Sequence, residues 1–301
     1  MSIFRQSLLF LGVSIGLAGC QSPNKMSDHQ LCTELLRWRD EGRGSYYEWM
    51  SNQVNRSYYS RRIAVLTDDL PDKASARKDL EELREKIRIG REWRTPPFQG
   101  ILPFTVQAPV IDGVLNDPVW EKILTFQGEY PVNSTRKEKA ETLWKLAWDR
   151  KYLYFAFFAP DKKIFNDREL PFQADSLELF IMPDPRLGAY MELVFSPEND
   201  LYAKRACFAD SAIYPIQPYR PKELLFRSQK VTGGYCVEGR IGFIELPGYL
   251  LGNEPCKGQS ITLMMLRTDL SETGEHLLSS PVPFLYDGHN TKCYMKLTLG
   301  E

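Results

Sequence analysis

The sequence has few histidines and none of the common catalytic signatures. Three of its 301 residues are histidine, which disfavours a histidine-rich catalytic metal site. It has no G-x-S-x-G, H-E-x-x-H or P-loop motif, and no carboxylate pair is marked out for glycoside cleavage. The formal net charge of −1 gives no electrostatic reason to expect nucleic acid. We therefore expect a binding or structural protein and not an enzyme.

Long hydrophobic runs are also scarce. One apolar stretch, Leu8–Gly19, is too short to span a bilayer comfortably. It ends in Leu17-Ala18-Gly19-Cys20, which resembles the lipobox of bacterial lipoproteins. The resemblance implies a signal peptide over residues 1–20, lipidation of Cys20 and a stable membrane anchor. No aspartate follows the cysteine, so the resemblance implies the outer membrane; the alternative is an ordinary secretory signal that ends near a cysteine.

The remaining cysteines define no metal site. Besides Cys20, five cysteines are present, none with C-x-x-C spacing, and an odd number leaves at least one free. An exported compartment permits disulfides, but spacing does not fix their pairing. Cys236 and Cys293 alternate with strand residues, so buried single thiols are as compatible with the pattern as bridges.

Residues 21–98 are predicted to be a polar tether and a small helical segment. Ser27-Asp28-His29-Gln30 fits a capping box, and the apolar residues after it recur at helical spacing. Two interpretations remain open: a spacer or docking module for an envelope protein partner, and a helical hairpin that packs on itself or on the next domain. Pro96-Pro97 breaks the helical pattern and marks a boundary.

Residues 99–301 are predicted to form a mainly β, antiparallel β-sandwich. Leu143–Asp149 and Asp175–Ile181 alternate polar and apolar residues, as strands with one wet face do. Between them, Tyr152–Ala159 is apolar throughout, which is typical of a strand covered on both sides. Many further short strands separated by turn residues indicate two packed sheets.

Four motifs in this part resemble those of carbohydrate-binding module family 9, within a wider DOMON-like group of exported sandwiches. They are Ile111–Trp120, Trp148–Tyr154, Asp175–Ile181 and Glu192–Pro197. Their order and spacing agree with the family over residues 109–299. The resemblance implies non-catalytic saccharide binding, here by a membrane-anchored lipoprotein that supports polysaccharide breakdown.

The resemblance also implies where a sugar would bind. Phe172 stands where the family has an aromatic platform that is usually tryptophan, and Tyr286 is the nearest aromatic to the second platform. Flat rings suit the C–H face of a pyranose, and planar polar groups bracket its hydroxyls. The predicted ligand-binding residues are Phe172, Asp175, Tyr286, Asp287, His289 and Asn290. Asp175 and Glu178 are expected on opposite faces of their strand, because they are three residues apart.

Three further interpretations remain. The first is a structural or protein-interaction envelope lipoprotein that reuses the sandwich. The second is a haem-binding redox sandwich, with Met182 or Met191 and His289 as axial ligands, although no spacing supports the pair. The third concerns calcium, which some sandwiches of this group hold in loops. Asp161, Asp167 and Asp184 are the candidate ligands, and solvated loop acids are the alternative.

Overall fold

The computed structural model describes residues 92–121, 123–183, 189–209, 212–213, 217–246, 254–285 and 287–301. Cys20 and the predicted helical segment up to Gly90 lie outside these residues. Within the ranges described, no helix is long and apolar enough to cross a membrane.

The described part of the chain consists of strands joined by turns and single 3-10 turns. The strands are β1 Gln99–Leu102, β2 Leu124–Pro131, β3 Glu138–Trp148, β4 Tyr152–Pro160, β5 Ser176–Met182, β6 Ala189–Phe195, β7 Leu201–Ala209, β8 Ala212–Ile213, β9 Gln217–Pro218, β10 Leu224–Val231, β11 Gly234–Gly242, β12 Ser260–Leu270, β13 His276–Ser280 and β14 Met295–Leu299. The 3-10 turns are Pro118–Glu121, Pro171–Gln173, Phe243–Glu245 and Thr291–Cys293. The predicted mainly β fold is confirmed.

The strands form two layers joined along one edge. The hydrogen-bonded order is β10-β11-β4-β3-β2-β13-β12-β5-β6-β7-β8; β14 pairs with β12 and β1, and β9 pairs with β7. The β2–β13 contact comprises only Ser279↔Pro131 and Ser280↔Tyr130, so the hydrogen-bonded strand order passes there from one layer to the other. Apart from the parallel β1–β14 pair, the strand pairings described are antiparallel.

The core lies between the layers. The rings of Phe155 on β4 and Phe195 on β6 have centroids 5.1 Å apart, although these strands are not neighbours in the sheet. Trp144, Phe157, Leu179 and Met265 belong to the same buried cluster. Burial of each side chain of this size stabilises the folded state by roughly 1.5–3 kcal/mol. This gain favours the sandwich over an open sheet, because an open sheet would leave these side chains in water.

Strand β4 is covered on both sides, as its sequence predicts. Leu153, Phe155 and Phe157 face the core between the layers. Tyr154 and Ala156, on the other face, pack with Val119 and Trp120 in a second cluster. The 3-10 turn Pro118–Glu121 therefore lies over the outer face of the first layer, with the Trp120 side chain 1% exposed.

Strand β5 corrects the prediction of a wet face, because all seven of its residues are buried. Leu177, Leu179 and Ile181 lie on one face of β5, toward the core between the layers, while Glu178 and Phe180 alternate with them and lie on the opposite face. The connection from β13 to β14 lies over that second face, since the ring of His289 contacts Phe180. The polar face is thus the floor of a cleft and not free surface.

Three cysteines in the described ranges form no disulfide. Cys236 and Cys293 are buried and Cys256 is exposed. Burial raises the pKa of the Cys236 thiol to about 11, so it stays protonated at neutral pH and acts as a small apolar side chain. Of the two alternatives for Cys236 and Cys293, the buried single thiol is confirmed.

Candidate functional site

A row of side chains crosses the outer face of the second layer. Phe180 on β5 is the cross-strand partner of Glu192 on β6, and Glu192 is that of Lys204 on β7. Directly opposed residues of antiparallel strands project to the same face. This register places a ring, a carboxylate and an ammonium side by side, although they are far apart in the sequence.

The row forms part of a cleft of about 250 Å³. The lining residues come from five strands and two connections, and they are Phe172, Glu178, Phe180, Glu192, Lys204, Leu266, Thr268, His276, Leu278, Asp287, Gly288 and His289. We refer to this set as the cleft. It combines rings and aliphatic side chains with several polar and charged groups, and both kinds of contact are used by small-molecule sites.

One wall of the cleft is the 3-10 turn that carries Phe172. Proline at the first position suits such a turn, and the Gln173 side chain accepts a hydrogen bond from the Leu170 amide at 3.3 Å. The Phe172 ring contacts the Tyr202 ring edge-to-face, with centroids 5.0 Å apart. Phe172 is half-buried, so part of its ring remains available to a ligand.

The opposite wall is the connection between β13 and β14. The His289 amide donates to Asp287 Oδ1 at 2.8 Å, and the Tyr294 hydroxyl donates to the Gly288 carbonyl at 2.7 Å. The His289 ring lies edge-on to Phe180, with centroids 5.5 Å apart. A Cβ at Gly288 would lie 2.4 Å from the Phe180 ring, so only glycine allows this close approach.

The polar groups of the cleft floor are buried and mostly paired. Lys204 Nζ lies 2.7 Å from Glu192 Oε2, and these side chains are 9% and 5% exposed. The Thr268 hydroxyl donates to Glu178 Oε1 at 2.7 Å. His289 Nδ1 lies 2.7 Å from the Tyr190 hydroxyl. These contacts hold the floor in one arrangement before a ligand arrives, which reduces the entropy lost on binding.

Burial controls the charges of this floor. Desolvation, together with the Glu192 charge, raises the pKa of Glu178 to about 7. Desolvation also raises the pKa of Glu192, against the opposing effect of Lys204. Burial and the Lys204 charge lower the pKa of His289 to about 3. His289 is therefore neutral at pH 7, and its approach to Glu192 at 3.8 Å is not an ion pair.

The sequence of this sandwich and cleft matches a known family. The family model described as "Carbohydrate family 9 binding domain-like" matches residues 111–279, which is more than half of the 301-residue chain. The chain belongs to this family. The four motifs within residues 109–299 therefore identified the carbohydrate-binding module family 9 fold correctly.

Individual relatives of this family 9 chain were also found. It is 26% identical over 149 residues to endo-1,4-beta-xylanase A of Thermotoga maritima, a match that covers 49% of this chain and 13% of the xylanase. A family 9 carbohydrate-binding module of Caldicellulosiruptor kristjanssonii, solved with cellotriose, is 16% identical with a TM-score of 0.49, covering 67% of this chain and 93% of that one. A Bacteroides uniformis protein proposed to bind carbohydrate is 10% identical with a TM-score of 0.53, covering 68% and 99%. This last likeness concerns the fold.

The structure of the family 9 chain brings three of the predicted site residues into the cleft, and they are Phe172, Asp287 and His289. Tyr286 lies outside the described residues. Glu178, Glu192 and Lys204 were not predicted as ligand-binding, because strand register and not local sequence brings them together.

Asp175 and Asn290 do not line the cleft, so the structure does not bring them together there with the other predicted site residues. Asp175 is fully buried, and its carboxylate accepts hydrogen bonds from the amides of Leu270 and Phe165. The Asn290 amide donates to the Leu285 carbonyl at 3.0 Å. Asp175 lies on the opposite face of its strand from Glu178, as their spacing predicts. Asp175 and Asn290 both hydrogen-bond to backbone groups and so position loops.

Of the calcium candidates, only Asp161 belongs to an acidic group in the described residues. Its carboxylate approaches those of Asp175 and Asp269 within 4.8 Å. Arg267 Nη2 lies 3.5 Å from Asp161 and 3.1 Å from Asp269. This guanidinium repels a second cation and already supplies positive charge, so the arrangement does not fit calcium. Asp167 is an exposed neighbour of Arg168, and Asp184 lies outside the described residues.

The methionine–histidine pair proposed for haem does not assemble around Met191. Met191 alternates with Tyr190 and Glu192 along β6, and it belongs to the core between the layers. His289 contacts Tyr190 on the opposite face. Met182 shares the Phe180 face of β5, but it does not line the cleft that contains His289. Nothing in this geometry favours an axial pair.

Proposed function

We propose that this chain binds a saccharide, without cleaving it, in the cleft between Phe172 and His289. The observation that carries the proposal is the convergence of a half-exposed ring with a floor of hydrogen-bonding groups. Phe172 offers a flat apolar face, and Lys204 and Glu192 offer a donor and an acceptor next to each other. A pyranose needs both kinds of contact, because one of its faces is rich in C–H and its rim carries hydroxyls.

The family supports this proposal, since its description is that of a carbohydrate-binding domain. The segment shared with a xylanase motivates a supporting role in polysaccharide breakdown. A strain that lacks the protein is then expected to grow more slowly on the polysaccharide that the purified chain binds. Normal growth on that polysaccharide would argue against the supporting role and leave binding unaffected.

The test of the cleft is Phe172→Ala in the full chain. A glycan array first identifies a saccharide that binds, and titration calorimetry then compares the variants. We expect Phe172→Ala to weaken binding about tenfold or more, equivalent to about 1.4 kcal/mol, because the ligand loses its apolar face. Phe172→Trp is expected to retain binding.

The matched control is Tyr152→Ala. Tyr152 is a half-buried aromatic on β4 in the other layer, and its hydroxyl donates to Glu223, away from the cleft. Its replacement is expected to leave affinity unchanged. Unchanged binding in Phe172→Ala, or equal losses in the two alanine variants, would exclude Phe172 as a platform. A blank array together with blank affinity electrophoresis would reject saccharide binding itself.

We also propose that Cys20 is lipidated and anchors the chain to the membrane, which the lipobox-like sequence motivates. In a bacterial host fed a labelled fatty acid, the chain is expected to carry the label and to sediment with the outer membrane. The Cys20→Ala variant should lose both properties, because the thioether has no attachment point. Label retained by that variant would refute lipidation at Cys20.

A further inference from the structure

The cleft carries more negative than positive groups. Glu178, Glu192 and Asp287 line it, together with a single lysine, Lys204. His289 is neutral at pH 7, because its pKa lies near 3. His276, the remaining titratable residue of the lining, is exposed at the start of β13. A ligand that brings positive charge therefore fits the cleft better than an anionic one.

The one ammonium of the cleft is already engaged. Lys204 Nζ pairs with Glu192 Oε2 at 2.7 Å, and these residues face each other across neighbouring strands. Asp287 Oδ1 accepts the His289 amide. Glu178 has no ion-pair partner among the described residues, and it is 6% exposed.

Glu178 also has unused hydrogen-bonding capacity. Its Oε1 accepts the Thr268 hydroxyl at 2.7 Å, whereas its Oε2 accepts no hydrogen bond from any described residue. An ionised carboxylate has about four acceptor positions, so Oε2 can accept hydrogen bonds from a group that enters the cleft. A donor on the ligand would use this capacity.

We propose that the saccharide taken by this cleft carries a protonated amine, as a 2-amino-2-deoxyhexose does, and that Glu178 binds that ammonium. This inference rests on the proposed function and specifies its substrate class. The sugar ring contacts Phe172, and the ammonium donates to the free oxygen of Glu178. A hydrogen bond with charge on both partners is shorter and about twice as strong as a neutral one.

The titration of Glu178 gives this interaction a pH dependence of defined sign. The groups that face Glu178 are the carboxylates of Glu192 and Asp287, which disfavour its ionised form, and Lys204 and Thr268, which favour it. An incoming ammonium favours the ionised form as well. Below about pH 7, binding must release the Glu178 proton, so affinity for the amino sugar rises with pH until the amine itself deprotonates. The affinity for a neutral sugar does not increase with pH in this way, because a neutral sugar has no ammonium to bind the ionised carboxylate.

The experiment is titration calorimetry of the full chain with glucosamine, N-acetylglucosamine and glucose. At pH 7 we expect glucosamine to bind about tenfold or more tightly than either neutral sugar, equivalent to about 1.4 kcal/mol. Its affinity is expected to increase between pH 5.5 and pH 7, while those of the neutral sugars do not. The wild-type comparison needs no variant, so it decides the proposal even if a substitution prevents folding.

The variant that localises the effect is Glu178→Gln, with Glu198→Gln as the matched control. Glu198 is half-exposed and pairs with Lys230 on the surface. Glu178→Gln is expected to abolish the preference for glucosamine, and Glu198→Gln to keep it. Neutral sugars that bind as well as glucosamine, or a preference that survives in Glu178→Gln, would overturn the inference and leave saccharide binding standing. Failure of every saccharide to bind would overturn both.

Discussion

Replacing Arg267 with methionine is expected to lower the free energy of unfolding by about 3–5 kcal/mol at pH 7, because it leaves buried charges unpaired. The Arg267 side chain is 6% exposed and lies 3.1 Å from Glu129 Oε1. It also contacts Asp161 and Asp269 and donates to the Pro160 carbonyl at 2.8 Å. One guanidinium thus connects β12 with β2 and with the end of β4, across the two layers. Urea denaturation of the variant measures the loss.

The effect of Arg267→Met should depend on pH. Burial raises the pKa of Asp269, and Arg267 opposes that rise; without the arginine the folded-state pKa moves further above the unfolded value. The folded variant then binds more protons than the unfolded chain, so its stability increases as pH falls from 7 to 5. The control is Lys163→Met, which breaks an exposed pair with Glu272 and should change stability by less than about 1 kcal/mol. Equal effects of the two substitutions would show that the Arg267 network is not structural.

Glu238→Leu is expected to destabilise the fold by about 3–5 kcal/mol, because it leaves two buried donors and one part-buried donor without an acceptor. Glu238 is fully buried. Its Oε1 accepts the Trp120 indole N–H at 2.7 Å, and its Oε2 accepts the amides of Asp112 and Gly113 at 3.0 and 2.9 Å. Through these hydrogen bonds the Glu238 carboxylate holds the segment around Trp120 against the outer face of the first layer. Thermal unfolding followed by tryptophan fluorescence reports both the stability and the release of Trp120.

Two further substitutions make the Glu238 prediction specific. Glu238→Gln keeps one acceptor oxygen, so it should lower the free energy of unfolding by less than Glu238→Leu does. Glu272→Leu, at a largely exposed position, should change stability by no more than about 0.5 kcal/mol. If Glu238→Leu proved as stable as the wild type, the carboxylate would not be what holds Trp120 in place.

The strands could be predicted from the sequence because their patterns are local. The unbroken apolar run of β4 predicts that both faces of the strand are buried. On the outer face, Trp120 packs against Tyr154 and Ala156. The alternation in β5 correctly predicted which residues share a face of the strand. It did not predict that both faces are buried. What covers the Glu178 face is the connection after β13, about a hundred residues later, and no local pattern encodes that contact.

The site could be predicted only in part for the same reason. Phe172, Asp287 and His289 lie in connections that the family motifs locate, and these residues do line the cleft. Asp175 lies in a motif as well, but its side chain is used to bind two backbone amides. Glu192 and Lys204 become neighbours through the register of β6 and β7. For Glu192 a sequence signal exists in retrospect, since it is a charged residue between Met191 and Leu193. Lys204 lacks this signal, because Arg205 follows it.

The most direct measurement of the central claim is a crystal structure of the full chain soaked with a saccharide selected by the array. We expect sugar density in the cleft, with the ring against Phe172 and polar atoms within hydrogen-bonding distance of Glu178 and of the Lys204–Glu192 pair. Density elsewhere, such as at the separate groove lined by Tyr219, Arg220 and Phe226, with the cleft unchanged, would contradict it.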